Sequence, residues 1–461
     1  MKSESDGSSN FEIDADDLPD GWILSTFGEI ADVVAGGTPT ASDETNFSDE
    51  GYPWITPADL SNYDSVYIQH GRRSLSKKGL QTSAAKMLPK GTVLMSSRAP
   101  IGYVAIAANP ISTNQGFKNF ICHEGILPEY VYYWIKYLNP YLEGMGSGST
   151  FAEISGTRAK KIPFIYPPLA EQQRIVARVE ALLTHVNAAR DQLSRVPLIM
   201  KRFRQAVLAA ACSGRLTEGW REKNPDVESG SQLLERLSES RKKIKKIGKT
   251  FEDNTFFEKF PELPITWTWS TIQQLSERVT VGHVGPMKNE YRSDGIPFLR
   301  CQNVRENYFD AKGLVFISPQ FHESLKKSAL EPGDLVVVRS GNVGVCCIIP
   351  ESLTEANCSD LVVVKKPFGF VPKFGAYYVN SLAQNWIDLG TVGIALSHFN
   401  TKSVATLPIP IPPLAEQYEI VRRVGLLFER ADAFDREVLA ASRRCERLTQ
   451  AVLGKAFAGK L

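Results

Sequence analysis

The side chains with chemistry to offer in this 461-residue chain are of a recognition type rather than a reaction type. Arg98 and Arg339 each follow an apolar run and precede a glycine, Gly102 and Gly344. A guanidinium fork held on such a turn suits a guanine edge or a phosphate. Asn114, Gln115 and Asn357 carry amides, the group that pairs bidentately with adenine. Arg300, Asn303 and Arg305, with Gln302 among them, cluster after another apolar run. Ser149 and Thr150 close the stretch Ser147-Gly148-Ser149-Thr150, a flexible hydroxyl loop able to hold backbone phosphates. Taken singly, each of these side chains suits an ordinary surface or capping role equally well.

Motifs for covalent chemistry are missing. No phosphate-binding P-loop occurs, and Gly144-Met145-Gly146-Ser147-Gly148 neither follows a clear strand nor opens a helix. The Asn/Asp-Pro-Pro-aromatic tetrad of adenine methyltransferases is absent, since Pro167-Pro168 follows a tyrosine and precedes Leu169. Nuclease-type acid pairs are unconvincing, and the six histidines are scattered without metal-ligand spacing. The seven cysteines form no CxxC pair, and Cys346-Cys347 sits in an apolar run where packing explains it. A non-catalytic chain binding no metal or cofactor of its own is the expectation.

Composition is that of a globular protein, 43% hydrophobic and 23% charged. No stretch approaches the roughly 18 apolar residues of a membrane helix, and the acidic start lacks the basic and apolar segments of a secretion signal. A cytoplasmic chain without membrane contact is expected. Net charge is +2, but the first twenty residues hold seven acids against Lys2, which leaves +8 on the remainder. That suits a body facing a polyanion, although solubility alone accounts for such a value.

The elements that must carry these residues are written twice. Pro167-Pro168-Leu169-Ala170-Glu171-Gln172 returns 245 positions later as Pro412-Pro413-Leu414-Ala415-Glu416-Gln417. The same shift takes Gln205-Ala206-Val207-Leu208 to Gln450-Ala451-Val452-Leu453, and Gly214-Arg215-Leu216 to Gly459-Lys460-Leu461. It also takes Leu18-Pro19 with Trp22 to Leu263-Pro264 with Trp267. One shift held at both ends of a unit means two copies of one module. Between those ends, turns and apolar positions persist while polar residues are rewritten. Two different ligands of one chemical class would require that; undirected drift of an old duplication is the competing account.

After each proline pair the apolar residues fall into heptads: Ile175, Val179, Leu182, Val186, Ala189, Leu193 and Val196, then Ile420, Val424, Leu427, Ala431, Phe434, Val438 and Ala441. This is the seam of a coiled coil, in which two such helices most simply pack on each other. If they run antiparallel, about 22 residues at ~1.5 Å each hold the variable regions roughly 33 Å apart, close to one turn of B-DNA. Packing of each helix on its own domain is the alternative. Pro197 predicts that the first helix ends or kinks near Val196, and Gly214 suits a C′ glycine.

The regions 18–166 and 263–411 alternate β-rich runs with turns and some helix, and predict mixed α+β domains with twisted, mainly antiparallel sheets. Strands are expected at Val93–Met95, Val104–Ile106, Phe120–Ile121, Leu335–Val338, Val345–Ile349 and Leu361–Val364, and helices at Tyr130–Leu138 and Ala376–Leu389. Residues 1–17 read as a disordered acidic tail, 167–216 and 412–461 as helical spacers, and 217–262 as a charged linker. That linker holds a helical stretch from Gln232 to Ile247 and a basic run from Arg241 to Lys246, a solvated face or a phosphate contact.

Two variable domains, each opening with Leu-Pro…Trp and closing with Pro-Pro-Leu-Ala-Glu-Gln before a heptad helix, resemble the specificity subunit of type I restriction-modification systems. The resemblance runs from Leu18 to Leu461. It implies two target recognition domains, each reading half of a split, asymmetric sequence in double-stranded DNA, on a pseudo-twofold frame with an antiparallel coiled coil. It further implies two methyltransferase subunits docked on the helices and two motor-nuclease restriction subunits. S-adenosylmethionine, ATP and magnesium would then belong to those partners. The competing reading is a coiled-coil scaffold whose variable domains bind proteins, which predicts affinity insensitive to salt.

Overall fold

The computed structural model describes residues 18–98, 100–145, 153–242, 261–385 and 400–461. The chain divides into two compact units, one running to Ser194 and adding Val438–Leu461, the other spanning Arg195–Glu437. Each unit therefore takes one variable region together with part of each long helix.

Both units hang from the same two-stranded clasp. In the first, Ile23–Thr26 pairs antiparallel with Pro163–Tyr166. In the second, Thr268–Thr271 pairs antiparallel with Pro408–Ile411. The register is the same at the 245-residue shift, Ile23 facing Tyr166 and Thr268 facing Ile411. The variable region leaves and returns through neighbouring strands.

Beyond the first clasp lies a five-stranded sheet in the order Ala31–Ala35, Phe117–Cys122, Val93–Ser96, Val104–Ala107, Tyr67–Ile68. Its pairs are antiparallel except the last. A smaller sheet joins Arg73–Leu75, Phe47–Ile55 and Ser112–Thr113. In the second unit, Ser276–Val281, Leu361–Pro367, Leu335–Val338 and Cys346–Ile348 form an antiparallel sheet. A second sheet joins Tyr291–Arg292, Val315–Ile317, Ile296–Leu299 and Asn357–Cys358. The mainly antiparallel α+β expectation holds in both units. The expected helices run Pro128–Met145 and Pro372–Asn385, and the end of the second expectation lies outside the described residues.

The long helices are Leu169–Cys212 and Leu414–Phe457, 44 residues each. Each opens directly after its proline pair, where the missing amides would have been unpaired anyway. The glutamines of the repeated motif then dock the helix start. Gln172 accepts from the Leu127 amide (2.9 Å) and donates to the Gly125 and Pro167 carbonyls. Gln417 accepts from the Val371 amide (2.7 Å) and donates to the Pro412 carbonyl. The motif is a joint between domain and helix. Glu416 is fully buried against the Arg221 guanidinium (2.6 Å), the Thr217 hydroxyl (2.6 Å) and Trp267 Nε1 (2.9 Å).

Of the two outcomes expected at Pro197, an end or a kink near Val196, the end does not occur: the first helix runs on through it. Pro197 is exposed. The carbonyl of Leu193, deprived of its intrahelical amide, therefore lies on a wet face, where water can replace the lost bond. Burial of Ile175, Val176 and Val179 before the proline, and of Val207, Leu208 and Ala211 after it, keeps both flanks helical.

The seam is antiparallel in the second unit, where Arg204 bonds Asp432 (2.6 Å) and Asp435 (2.8 Å) and Arg423 reaches back to the Leu216 carbonyl (2.8 Å). In the first unit, Arg174 meets the Leu461 main-chain oxygen (2.9 Å). Ile175, Val179, Ile420 and Val424 are buried, and Leu182, Val186, Leu193, Leu427 and Val438 are half-buried. Phe434 departs from its expected place, being 48% exposed. Beside it, Asp435 makes the cross-helix ion pair with Arg204. The charged stretch holds a helix, as its sequence suggests. Its helix covers Gly230–Lys242, and Leu233, Leu234 and Leu237 join the second core; the basic run beyond Lys242 lies outside the described residues.

Each core takes in the end of the helix belonging to the other copy. Phe457 sits edge-on to Tyr130 (centroids 5.2 Å) and Trp134 (4.9 Å) in the first core. Val207, Leu208 and Ala211 pack with Trp267 and Phe374 in the second.

Candidate nucleic-acid interface

In the first unit four loops are bonded into one cluster. Gly37 donates to the Thr113 carbonyl (2.9 Å), and the Gln115 amide donates to Thr38 Oγ1 (3.2 Å). Ser97 donates its amide to Gly116 (2.7 Å) and accepts at its carbonyl from Ile154 (2.9 Å). Gly36 admits no side chain, because a Cβ there would lie 1.8 Å from the Asn114 carbonyl oxygen. That close approach locks the glycine loop onto the turn after Ser112–Thr113.

The second unit repeats the arrangement. A Cβ on Gly282 would lie 1.7 Å from the Ser359 oxygen. The Ser359 amide donates to the Leu299 carbonyl (2.9 Å), as the Asn114 amide donates to Ile55 (2.9 Å). His283 donates its amide to Cys358 (2.8 Å), the counterpart of the Gly37 bond. Two copies share a loop frame, and the side chains on it differ.

The arginines occupy that frame unequally. Ser96 and Val338 are equivalent by their hairpin bonds to Tyr103 and Val345, so Ser97 stands where Arg339 stands and Arg98 lies one residue further on. Arg98 donates through Nε to Glu153 (2.8 Å). Lys118, almost fully buried, donates to Ser97 Oγ (3.2 Å) and reaches the other Glu153 oxygen (3.4 Å). Burial raises the Glu153 pKa, but the bonds and charges of Arg98 and Lys118 outweigh it, so the carboxyl is held below its ordinary value. Arg339 instead pairs through Nη1 with Asp360 (3.0 Å).

The amides divide into exposed and interior. Gln115 is exposed, and Asn114 is half-buried with its oxygen accepting from the Gly116 amide (2.8 Å). Asn303 is fully buried; its oxygen accepts from the Arg300 amide (3.0 Å) and its nitrogen donates to Asp310 (2.9 Å) and Lys312 (3.3 Å). In the first copy Asp59 makes the same cap, accepting from the Thr56 amide (2.8 Å). Asn357 is also fully buried, against His322 (3.2 Å) and the Leu325 carbonyl (3.2 Å). As seated, Asn303 and Asn357 shape turns and present no amide to a ligand. Arg300 donates to the Gly313 carbonyl (2.7 Å) and lies over the Tyr291 ring, and Arg305 pairs with Asp310 (3.4 Å). Ser149 and Thr150 lie outside the described residues.

Sequence reasoning passed over Lys118, Glu153 and Asp360. A lysine and an asparagine inside the apolar run Phe117–Cys122 were the available signal, since a buried strand carries a charge only where a partner waits. Among the described residues, no group of three His, Cys, Asp or Glu side chains is placed to hold a metal ion, and no helix is long and apolar enough to cross a membrane.

The fold defines a duplicated module, one loop frame built twice with unlike polar side chains on each copy. The type I restriction modification DNA specificity domain family matches residues 19–194 and 264–433, and the chain belongs to that family. The specificity subunit of the type I restriction enzyme MjaIX from Methanocaldococcus jannaschii is 42% identical over 166 residues, covering 36% of this chain and 38% of that subunit. The EcoBI specificity subunit of Escherichia coli is 29% identical over 307 residues, covering 64% of this chain and 57% of its own length. Both alignments thus span less than two thirds of those relatives. The EcoKI specificity subunit of Escherichia coli strain K12 is 25% identical over 464 residues, covering 96% of this chain and 90% of that one. A solved chain from work on complex assembly and conformational transition of the type I R-M system shares the fold, with a TM-score of 0.67 at 18% identity over 96% of this chain and 99% of its own.

Proposed function

We propose that this chain is the non-catalytic DNA-reading subunit of a cytoplasmic type I restriction-modification complex. Each variable region reads one half of a bipartite, asymmetric duplex site, and unlike readers on equivalent frames make that site non-palindromic. The observation that carries the reading is the pair of clasps with identical register, from which differently charged loop clusters hang.

The long helices dock two methyltransferase subunits in this reading, and two restriction subunits join for cleavage. Exposed apolar side chains support it: Leu198, Ile199, Phe203 and Phe434 in the second unit, Leu439 and Leu448 in the first. Helices carrying such residues favour a protein partner. S-adenosylmethionine, ATP and magnesium act in the partner subunits.

Selection of bound sites from random duplexes, using the full chain with its methyltransferase subunits, tests the proposal. Two short motifs separated by an unspecified spacer are expected, with affinity falling steeply as salt rises. Replacing residues 18–166 by another reader should change one half of the motif. A single contiguous motif, or a change in both halves, would overturn the model of independent readers.

A further inference from the structure

We infer that Glu153 is a positioning residue for base readout in the first unit, holding Arg98 by Nε so that its two terminal nitrogens are offered as a fork to guanine. The inference rests on the DNA-reading proposal above and deepens it.

The argument is geometric. Arg98 and Glu153 face each other across an isolated antiparallel β-bridge, and Ile154 donates to the Ser97 carbonyl, so the two backbones move as one. The carboxylate takes Nε at 2.8 Å. A planar guanidinium gripped there keeps its orientation while Nη1 and Nη2 stay available, and these nitrogens make no hydrogen bond to a described residue. Guanine O6 and N7 require that pair of parallel donors. The second Glu153 oxygen faces Lys118, whose side chain is 7% exposed and itself fixed by Ser97. With its second oxygen 3.4 Å from an interior cation, the carboxylate is held towards the protein on both sides. Buttressing a reading arginine in this way stiffens the group that touches the ligand.

The second unit solves the same turn differently. Asp360 faces Arg339 at Nη1 (3.0 Å) as an ion pair, with no carboxylate hydrogen bond from a described residue gripping Nε as in the first unit. Guanine preference set by a buttressed arginine therefore belongs to the first half-site.

The test compares wild type, Glu153→Ala, Glu153→Gln and Arg98→Ala, each as the full chain with its methyltransferase subunits. The probes are the random duplex pool and a fixed duplex lacking the selected motif. In Glu153→Ala, guanine preference at one position of the first half falls about ten-fold, within the discrimination of one bidentate arginine. Binding to the motif-free duplex rises several-fold, because an anion beside two cations is gone. Glu153→Gln, whose amide oxygen still accepts from Nε, restores most of the guanine preference and keeps the raised background. Arg98→Ala loses both. The second half of the motif stays unchanged throughout and reports that the chain is folded. A Glu153→Ala motif identical to wild type, or affinity lost equally for every duplex, would overturn the inference. Failure of the wild type to select any motif would instead overturn the DNA-reading proposal beneath it.

Discussion

At the scale of single residues, the same side chain serves capping and recognition, and burial decides between them. Asn303 offers the amide that reads adenine, yet it closes its own turn as Asp59 does in the other copy. Removing it leaves the buried Arg300 amide and Asp310 carbonyl without partners, so Asn303→Ala is expected to destabilise the chain by about 1–3 kcal/mol in denaturant unfolding. A larger loss is expected at the buried pair of Lys365 and Asp334 (2.6 Å), both almost fully enclosed. Asp334→Ala strips an interior ammonium of its main counter-charge, and about 3–5 kcal/mol follows. Unchanged unfolding midpoints for either variant would refute these assignments. The sequence led to Arg98 and Arg339 because each cation stands on a glycine-flanked turn, and the structure seats both beside an acid of their own unit. The seats of the amides were not legible, because their partners lie many residues away.

At the scale of elements, the heptads located both long helices, and the proline pairs located their starts. Two details escaped. A seam read from apolar residue types selects Phe434, whereas the neighbouring Asp435 makes the cross-helix contact, to Arg204, a pairing 231 positions apart. Pro197 reads as a stop or a kink, and the helix continues through it because burial on both flanks outweighs one lost bond at an exposed position. Pro197→Ala should therefore stabilise the chain by about 1–3 kcal/mol, seen as a higher unfolding midpoint with DNA selection unchanged. Phe457→Ala should cost about 3–5 kcal/mol, since it empties the aromatic box of Tyr130 and Trp134. A change under about 1 kcal/mol at Phe457 would show that the helix end is dispensable to the first core.

At the scale of the molecule, duplication was the most legible property, because one 245-residue shift governs clasps, helix starts and helix ends alike. The helix ends seal the units in the same manner. A Cβ on Gly459 would lie 2.7 Å from Pro19 Cγ, and one on Gly214 would lie 2.5 Å from Pro264 Cγ. Both glycines hold positive φ, 65° and 79°, where other residues are strained. In the second unit that junction is bridged by the segment after Gly214; in the first it joins the end of the chain to its beginning. A permuted chain opened near Asp226, with Leu461 joined to the start through a copy of residues 217–262, should fold and select the wild-type motif. Loss of the motif in a folded permutant would show that chain order matters to reading.

The clasps carry a hereditary consequence. Everything between Thr26 and Pro163, or between Thr271 and Pro408, is an excursion whose two ends are hydrogen-bonded neighbours. Crossovers falling within the codons of those short strands exchange the whole excursion and leave the supporting backbone unbroken. Since both clasps share one register, such an exchange can also move an excursion from one half of the gene to the other. On the DNA-reading proposal, new combinations of readers would then arise by shuffling intact pieces, without waiting for point mutations to remake a surface.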